Sequence, residues 1–208
     1  MEPKSLRRYT ELPFVLHMLR TCQLALLSPS SWDDRNDAHF MEEYRQRKSL
    51  AGVFALCFAQ APKTYQHWKV FSPGSSGVCV KFDKAKLSAW AKSNSGMRAR
   101  AVTYETLKKL QDVPPITSNL PFVKRNAFRD EKEYRLVLDE KSRSGKLANV
   151  DFPLGLIEGL VVNPWLPREV FRSVKQAIRE IPGCEEMTVL HSTVVQNQEW
   201  QSAIENRA

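Results

Sequence analysis

Gly52-Val53-Phe54-Ala55-Leu56-Cys57-Phe58-Ala59 carries no charged side chain and no polar alternation. A strand with one wet face alternates apolar and polar residues, because successive side chains point to opposite faces of a sheet. An unbroken apolar run of this length, opened by glycine, reads instead as a strand buried on both faces and central in its sheet.

Upstream of this run, Arg7 to Thr10 reads as a short first strand, Leu12 to Cys22 as an apolar helix and Leu24 to Ser28 as a second strand. Pro29-Ser30-Ser31 supplies a turn and helix cap. Trp32 to Leu50 follows as a helix exposed on one side, with Asp33, Asp34 and Asp37 meeting the positive end of its dipole.

Downstream, a short helix or turn over Thr64 to Phe71 leads through Ser72-Pro73-Gly74-Ser75-Ser76-Gly77 into a strand at Val78 to Phe82 and a helix from Asp83 to Lys92. Further strands are predicted at Arg98 to Thr103, Tyr134 to Asp139, Leu156 to Val162 and Thr188 to His191. Pro167 and Glu169 open a helix to about Ile181, whose Val170, Phe171, Val174, Ile178 and Ile181 recur at helical spacing and should pack on the sheet.

Strands and helices mix here without a strict β-α-β-α rhythm. The fold class that follows is α+β, a single domain over residues 1–208 with a mixed or largely antiparallel central sheet flanked by helices. The only linker-like stretches, Ser93 to Gly96 and Lys141 to Lys146, read as surface loops of that domain. No G-x-G-x-x-G, G-x-x-x-x-G-K-[ST] or G-x-S-x-G occurs, which speaks against Rossmann, P-loop and serine-hydrolase chemistry.

An apolar fraction of 42% with 26% charged residues is the composition of an ordered globular chain. Lysine and arginine number 31 against 23 acidic residues, a net charge of +8 that favours nucleic acid or another polyanion as partner. No apolar run approaches the roughly 20 residues of a membrane span, and Met1 to Arg8 lacks the core of a signal peptide. Cys22, Cys57, Cys79 and Cys184 are far apart in sequence and read as reduced thiols of a cytoplasmic protein, Cys57 and Cys79 having no local charged or histidine neighbour to activate them.

Three stretches carry candidate chemistry. In Phe128-Arg129-Asp130-Glu131-Lys132-Glu133-Tyr134-Arg135-Leu136-Val137-Leu138, strand alternation puts Glu131, Glu133 and Arg135 on one face and Tyr134, Leu136 and Leu138 on the other. A carboxylate pair beside a guanidinium suits general-base work or stabilisation of a cationic, sugar-like transition state, while a solvated edge strand with self-neutralising charges gives the same pattern.

The second stretch, Ser31 to His39, concentrates Asp33, Asp34, Asp37 and His39; the four-residue spacing of Asp33 and Asp37 fits a hard cation such as magnesium, and helix capping explains the acids equally well. In the third, Tyr65-Gln66-His67-Trp68-Lys69-Val70-Phe71-Ser72, aromatic residues interleaved with cations suit a nucleobase or nicotinamide ring. Phe71 reads there as core, and Trp68 is open to either role.

Leu27 to Asp37, Leu56-Cys57-Phe58 through His67-Trp68 to Asp83, and Glu131 to Leu136 together resemble a bacterial family known as domain of unknown function 2971. Its Asn-Asp-Pro and Ser-Phe-Ser elements are replaced here by Asp33-Asp34-Arg35 and Leu56-Cys57-Phe58-Ala59. The order of a basic or aromatic first strand, a middle strand and Glu-x-Glu is also similar to the ADP-ribosyltransferase pattern.

That second resemblance implies an NAD-using transferase in which Glu133 stabilises the oxocarbenium-like ribose and Glu131 orients the acceptor. Arg8 or Tyr9, with Trp68 and Arg135, would then contact NAD. At the family level it implies action on or near nucleic acid in bacterial conflict or phage defence. A metal-dependent nuclease built on Asp33, Asp34, Asp37 and His39, and a non-catalytic nucleic-acid-binding or regulatory module, are the alternatives.

Overall fold

The computed structural model describes residues 3–62 and 64–205, so Met1 and Glu2 of the N-terminal stretch read above for a leader lie outside the described residues. In chain order the first half forms strand β1 (Ser5–Glu11), helix α1 (Leu12–Thr21), β2 (Gln23–Leu27), α2 (Arg35–Arg47), β3 (Gly52–Ala59), α3 (Tyr65–Phe71), β4 (Gly77–Asp83), α4 (Lys84–Ser93) and β5 (Met97–Ala101). The second half forms β6 (Thr103–Glu105), α5 (Leu107–Asp112), β7 (Val123–Arg125), β8 (Glu133–Glu140), β9 (Leu147–Asp151), β10 (Ile157–Val162), α6 (Arg168–Arg179), β11 (Val189–His191) and α7 (Gln198–Glu205).

Among the described residues, nine strands pair in a mixed, mostly antiparallel sheet, and β6 and β7 form a separate parallel pair. The fold is α+β, as the mixed order of elements predicts. No described helix is long and apolar enough to cross a membrane. The described residues group into two compact units, those within 3–7, 22–61 and 82–156 in the first and those within 8–21, 64–81 and 157–205, with residue 62, in the second.

In the first unit β3 holds the centre. It pairs antiparallel with β8 along its whole length, from Gly52 opposite Glu140 to Ala59 opposite Glu133, while its other edge is taken by β1 at Ala59 and β2 at Ala55. With both edges bonded and both faces covered, a polar side chain here would lose water and gain nothing, which is why the run is apolar. Phe54 and Leu136 are fully buried, and β5 extends the sheet beyond β8.

Helix α2 starts later than predicted. Asp34 is its N-cap, accepting from the amides of Asn36 and Asp37 at 3.1 and 3.3 Å, and Asp33 precedes the helix. Asp37, Met41 and Tyr44 form its buried stripe, at the i, i+4, i+7 spacing of one helix face. Tyr44 Oη donates to Asp139 at 2.5 Å and accepts from Arg98 at 2.6 Å, tying the helix to β8 and β5.

In the second unit β10 and β11 run parallel, Leu160 opposite Val189, with α6 as the crossover between them. Only Ile178 of α6 is buried within the helix, with Ile181 buried just beyond it; Val170, expected to pack, is 45% exposed. Asn163 is fully buried and donates to the carbonyls of Ser72 and Gly74 at 3.3 and 2.8 Å while accepting from the Trp165 amide, so it clamps the loop that leads into β4.

Candidate functional site

Glu133 and Arg135 share a face of β8, as strand alternation requires, but that face is not wet. Arg135 is 0% exposed and Glu133 5%. The reading of a solvated edge strand is corrected: β8 lies between β3 and β5, and α2 covers its polar face through Asp37, Met41 and Tyr44.

Arg135 is the hub. Its Nε donates to Glu133 at 2.7 Å, its Nη1 and Nη2 donate to the two oxygens of Asp37 at 2.9 and 2.7 Å, and Nη1 also donates to the Pro121 carbonyl at 2.8 Å. The guanidinium carbon stands 4.7 Å from the centre of the Trp32 ring. Dehydrating an arginine is costly, and this set of charge-assisted bonds is the compensation.

Glu131 does not belong to the strand. It ends a 3-10 turn over Asn126–Glu131, and Lys132 follows in the left-handed region with φ of 45°. The kink sets Glu131 beside Glu133 rather than two strand positions behind it, and Lys124 bridges them, its Nζ 2.8 Å from Glu131 and 3.3 Å from Glu133. Lys124 also stands 3.9 Å from Asp37 and 4.7 Å from the Phe128 ring centre. Behind Glu133, its amide donates to Tyr104 Oη at 2.8 Å.

Three carboxylates therefore face two cations in this cluster of the first unit. Burial disfavours the ionised form of Glu133, but Arg135, then Lys124 and a hydrogen bond from Cys57, hold its carboxyl down at about 2. Burial raises both Asp37, against the pull of Arg135, and Glu131, against the pull of Lys124. Burial likewise opposes the charge on Lys124, yet Glu133 and Glu131 raise its amine above the usual lysine range. Burial pushes the Tyr104 phenol up to about 12. Glu131, with 27% of its side chain exposed, is the member that solvent reaches.

The other expected residues are placed differently. Arg135, read as an NAD contact, is fully enclosed and spends its donors on Asp37, Glu133 and Pro121, so it positions its neighbours instead. Asp34 caps α2, Asp37 faces Arg135, and Asp33 and His39 are exposed, so the four do not converge; among the described residues no three His, Cys, Asp or Glu form a metal-binding group. A cleft of about 360 Å³ in this unit is lined by Ser28, Ser30, Met41, Glu42 and Gly145 and not by Glu133.

In the second unit Arg8 is half-buried, and Tyr9 and Trp68 are core residues. Tyr9 stacks on His67 with ring centres 5.5 Å apart and meets Trp68 edge-on at 5.2 Å. Trp68 is 0% exposed and Phe71 43%, the reverse of the expected assignment of Phe71 to the core. Thr64 caps α3 by accepting from the His67 amide.

Lys124 and Tyr104 leave no signal in the sequence, and Cys57, which has no charged neighbour along the chain, meets Glu133 and Arg135 in the fold. Lys124 and Tyr104 are brought to the cluster by the three-residue pairing of β6 and β7, too short to leave a periodic pattern, and Cys57 by the register that sets it opposite Arg135.

No family model matches the chain, and no curated protein matches it. Solved structures of Thermus sp. 2.9 DarT are similar to it. The complex with ADP-ribosylated ssDNA is 14% identical, with a TM-score of 0.48, covering 92% of this chain and 98% of that one. The complex with NAD+ is 13% identical, with a TM-score of 0.48, covering 92% and 96%.

Proposed function

We propose that the chain is an ADP-ribosyltransferase-like enzyme that uses NAD as substrate, with Glu133 as the charge-stabilising carboxylate and Glu131 beside it toward the acceptor. The observation that carries this reading is Glu133 itself, 5% exposed and paired with both Arg135 and Lys124 in a cluster holding more carboxylates than cations. When the ribose–nicotinamide bond breaks, its electron pair leaves with nicotinamide and positive charge develops on the sugar. A preorganised anion with few waters to reorient stabilises such charge strongly. The acceptor atom then bonds to the same carbon and its proton passes to a base, for which the more exposed Glu131 is suited.

The net charge of +8 supports nucleic acid as acceptor. The wider setting we propose, from the motif resemblance, is bacterial conflict or phage defence in the cytoplasm. Turnover of NAD by wild type and by Glu133→Gln, with thermal unfolding of both, tests the assignment. A loss of about 10²-fold or more in turnover with folding retained is expected. Equal turnover, or a wild type that never consumes NAD, ends it.

A further inference from the structure

Lys124 is one ammonium shared among carboxylates from three separate elements, Asp37 of α2, Glu131 of the 3-10 turn and Glu133 of β8. Its side chain is 9% exposed, its stem leaves the short strand β7, and the Phe128 ring lies against the amine. Long lysine side chains normally carry their charge to water. This one carries it inward, to the gap between the two glutamates.

Arg135 does not do the same work, because its bonds go to Asp37, to the Pro121 carbonyl and to Glu133 Oε1, whereas Lys124 bonds Oε2 and Glu131. Glu131 depends on Lys124 alone for an ion pair among the described residues.

We infer that Lys124 is a positioning residue for Glu131 and Glu133: its ammonium, 2.8 Å from one and 3.3 Å from the other, holds the two carboxylates side by side, so that one can meet a developing positive charge while the other accepts the acceptor's proton. This rests on the transferase reading for its catalytic meaning. The groups that bear on Glu131 and Glu133 are Lys124 and Tyr104 of the β6–β7 pair, Asp37 of α2, Arg135 of β8 and Cys57 of β3. Of these, Lys124 is the cation nearest Glu131. Without it, burial and the charges of Glu133 and Asp37 all favour the protonated acid.

The experiment compares wild type, Lys124→Gln and Lys124→Arg by carbon-detected NMR titration of the glutamate carboxylates, with the pH profile of NAD turnover measured alongside. In Lys124→Gln the Glu131 midpoint should rise by about 1–3 pH units, the range expected when an opposite charge within 4–6 Å is removed. Lys124→Arg should restore it, and the acid limb of the turnover profile should move with it.

Unchanged Glu131 and Glu133 midpoints in folded Lys124→Gln would overturn the inference. If that variant does not fold, the nitrogen shift of the Lys124 ammonium in wild type must follow the titration of Glu131; an ammonium blind to it overturns the inference equally. The NMR arm needs no turnover, so a protein that ignores NAD while Lys124 still governs Glu131 would refute the transferase reading alone.

Discussion

Asp37 and Arg135 stand 98 positions apart in the chain and close a two-pronged ion pair at 2.7 and 2.9 Å, the guanidinium wholly out of contact with solvent. The pair joins the first turn of α2 to the middle of the sheet. It also fixes the guanidinium from which Glu133 takes its shortest bond, so the strength of the pair bears on the geometry of the whole cluster.

Breaking it from one side strands a buried charge. Asp37→Ala is expected to cost about 3–5 kcal/mol, the usual penalty for removing one partner of a buried ion pair, and Asp37→Asn less because the amide still accepts one hydrogen bond. Urea unfolding of both variants checks the order; an Asp37→Ala midpoint equal to wild type would contradict the pairing.

The acid limb of stability follows from Glu133. Its carboxyl titrates near 2 in the folded chain against about 4.5 when unfolded, so its stabilising contribution is complete above pH 4.5 and disappears as the pH falls toward 2. That contribution is on the order of 3 kcal/mol at neutral pH. Asp37 and Glu131, whose carboxyls are raised, act with the opposite sign, which makes the difference between wild type and Glu133→Gln the quantity to measure. The difference should shrink between pH 4.5 and 2; a constant difference would show that Glu133 titrates normally.

Phe54 and Leu136 lie on adjacent, paired strands with no exposed surface. Truncating either to alanine should cost about 2–5 kcal/mol through lost burial and the cavity left behind. Chemical denaturation measures it directly, and unchanged midpoints would displace β3 and β8 from the core.

Gly77 admits no side chain. A Cβ there would overlap Ser72 Oγ and stand 2.9 Å from Asn163 Nδ2, so Gly77→Ala should push Asn163 off the Ser72 and Gly74 carbonyls. Asn163→Ala, which leaves the same carbonyls without a donor, should destabilise by about 1–3 kcal/mol. The two substitutions together should cost less than the sum of their separate effects, because both remove one clamp. Additive losses in thermal unfolding would separate them.

If nucleic acid is the acceptor, its affinity should fall linearly on a log–log plot against salt, since each phosphate contact releases counterions. Fluorescence anisotropy with a labelled single strand between 50 and 200 mM salt reads the slope; binding that ignores salt would remove the polyanion from the proposal.

Elements with a strong local pattern were legible in the sequence. The apolar run of β3 appears with the predicted bounds and central position, and helix α1 ends one residue earlier than predicted. β9 was not predicted, because Leu147-Ala148-Asn149-Val150-Asp151 buries only Ala148 and offers little alternation. In the seven residues of α3, Trp68 and Phe71 sit three apart, a spacing too short to tell which of the two turns inward.

The cluster was half legible. Glu131, Glu133 and Arg135 stand out locally as a charged motif, but Lys124 reads as an ordinary surface lysine and the inward turn of Asp37 follows only from packing. The left-handed Lys132 is invisible too, since nothing in lysine's chemistry favours that conformation.

The pairing of β3 with β8 also has a kinetic meaning. Residues 52–59 find partners at 133–140, so the chain between them must be closed into a loop before the sheet's centre exists, a costly step that slows folding. The ion cluster needs that pairing and, in addition, α2 and the segment at Pro121. Its charges therefore stay hydrated until the sheet has formed, and they lose water only in the last stage of assembly. Substitutions in the cluster will accordingly speed unfolding far more than they slow folding, and the lifetime of the native state, rather than the rate at which it is reached, is what Arg135 protects.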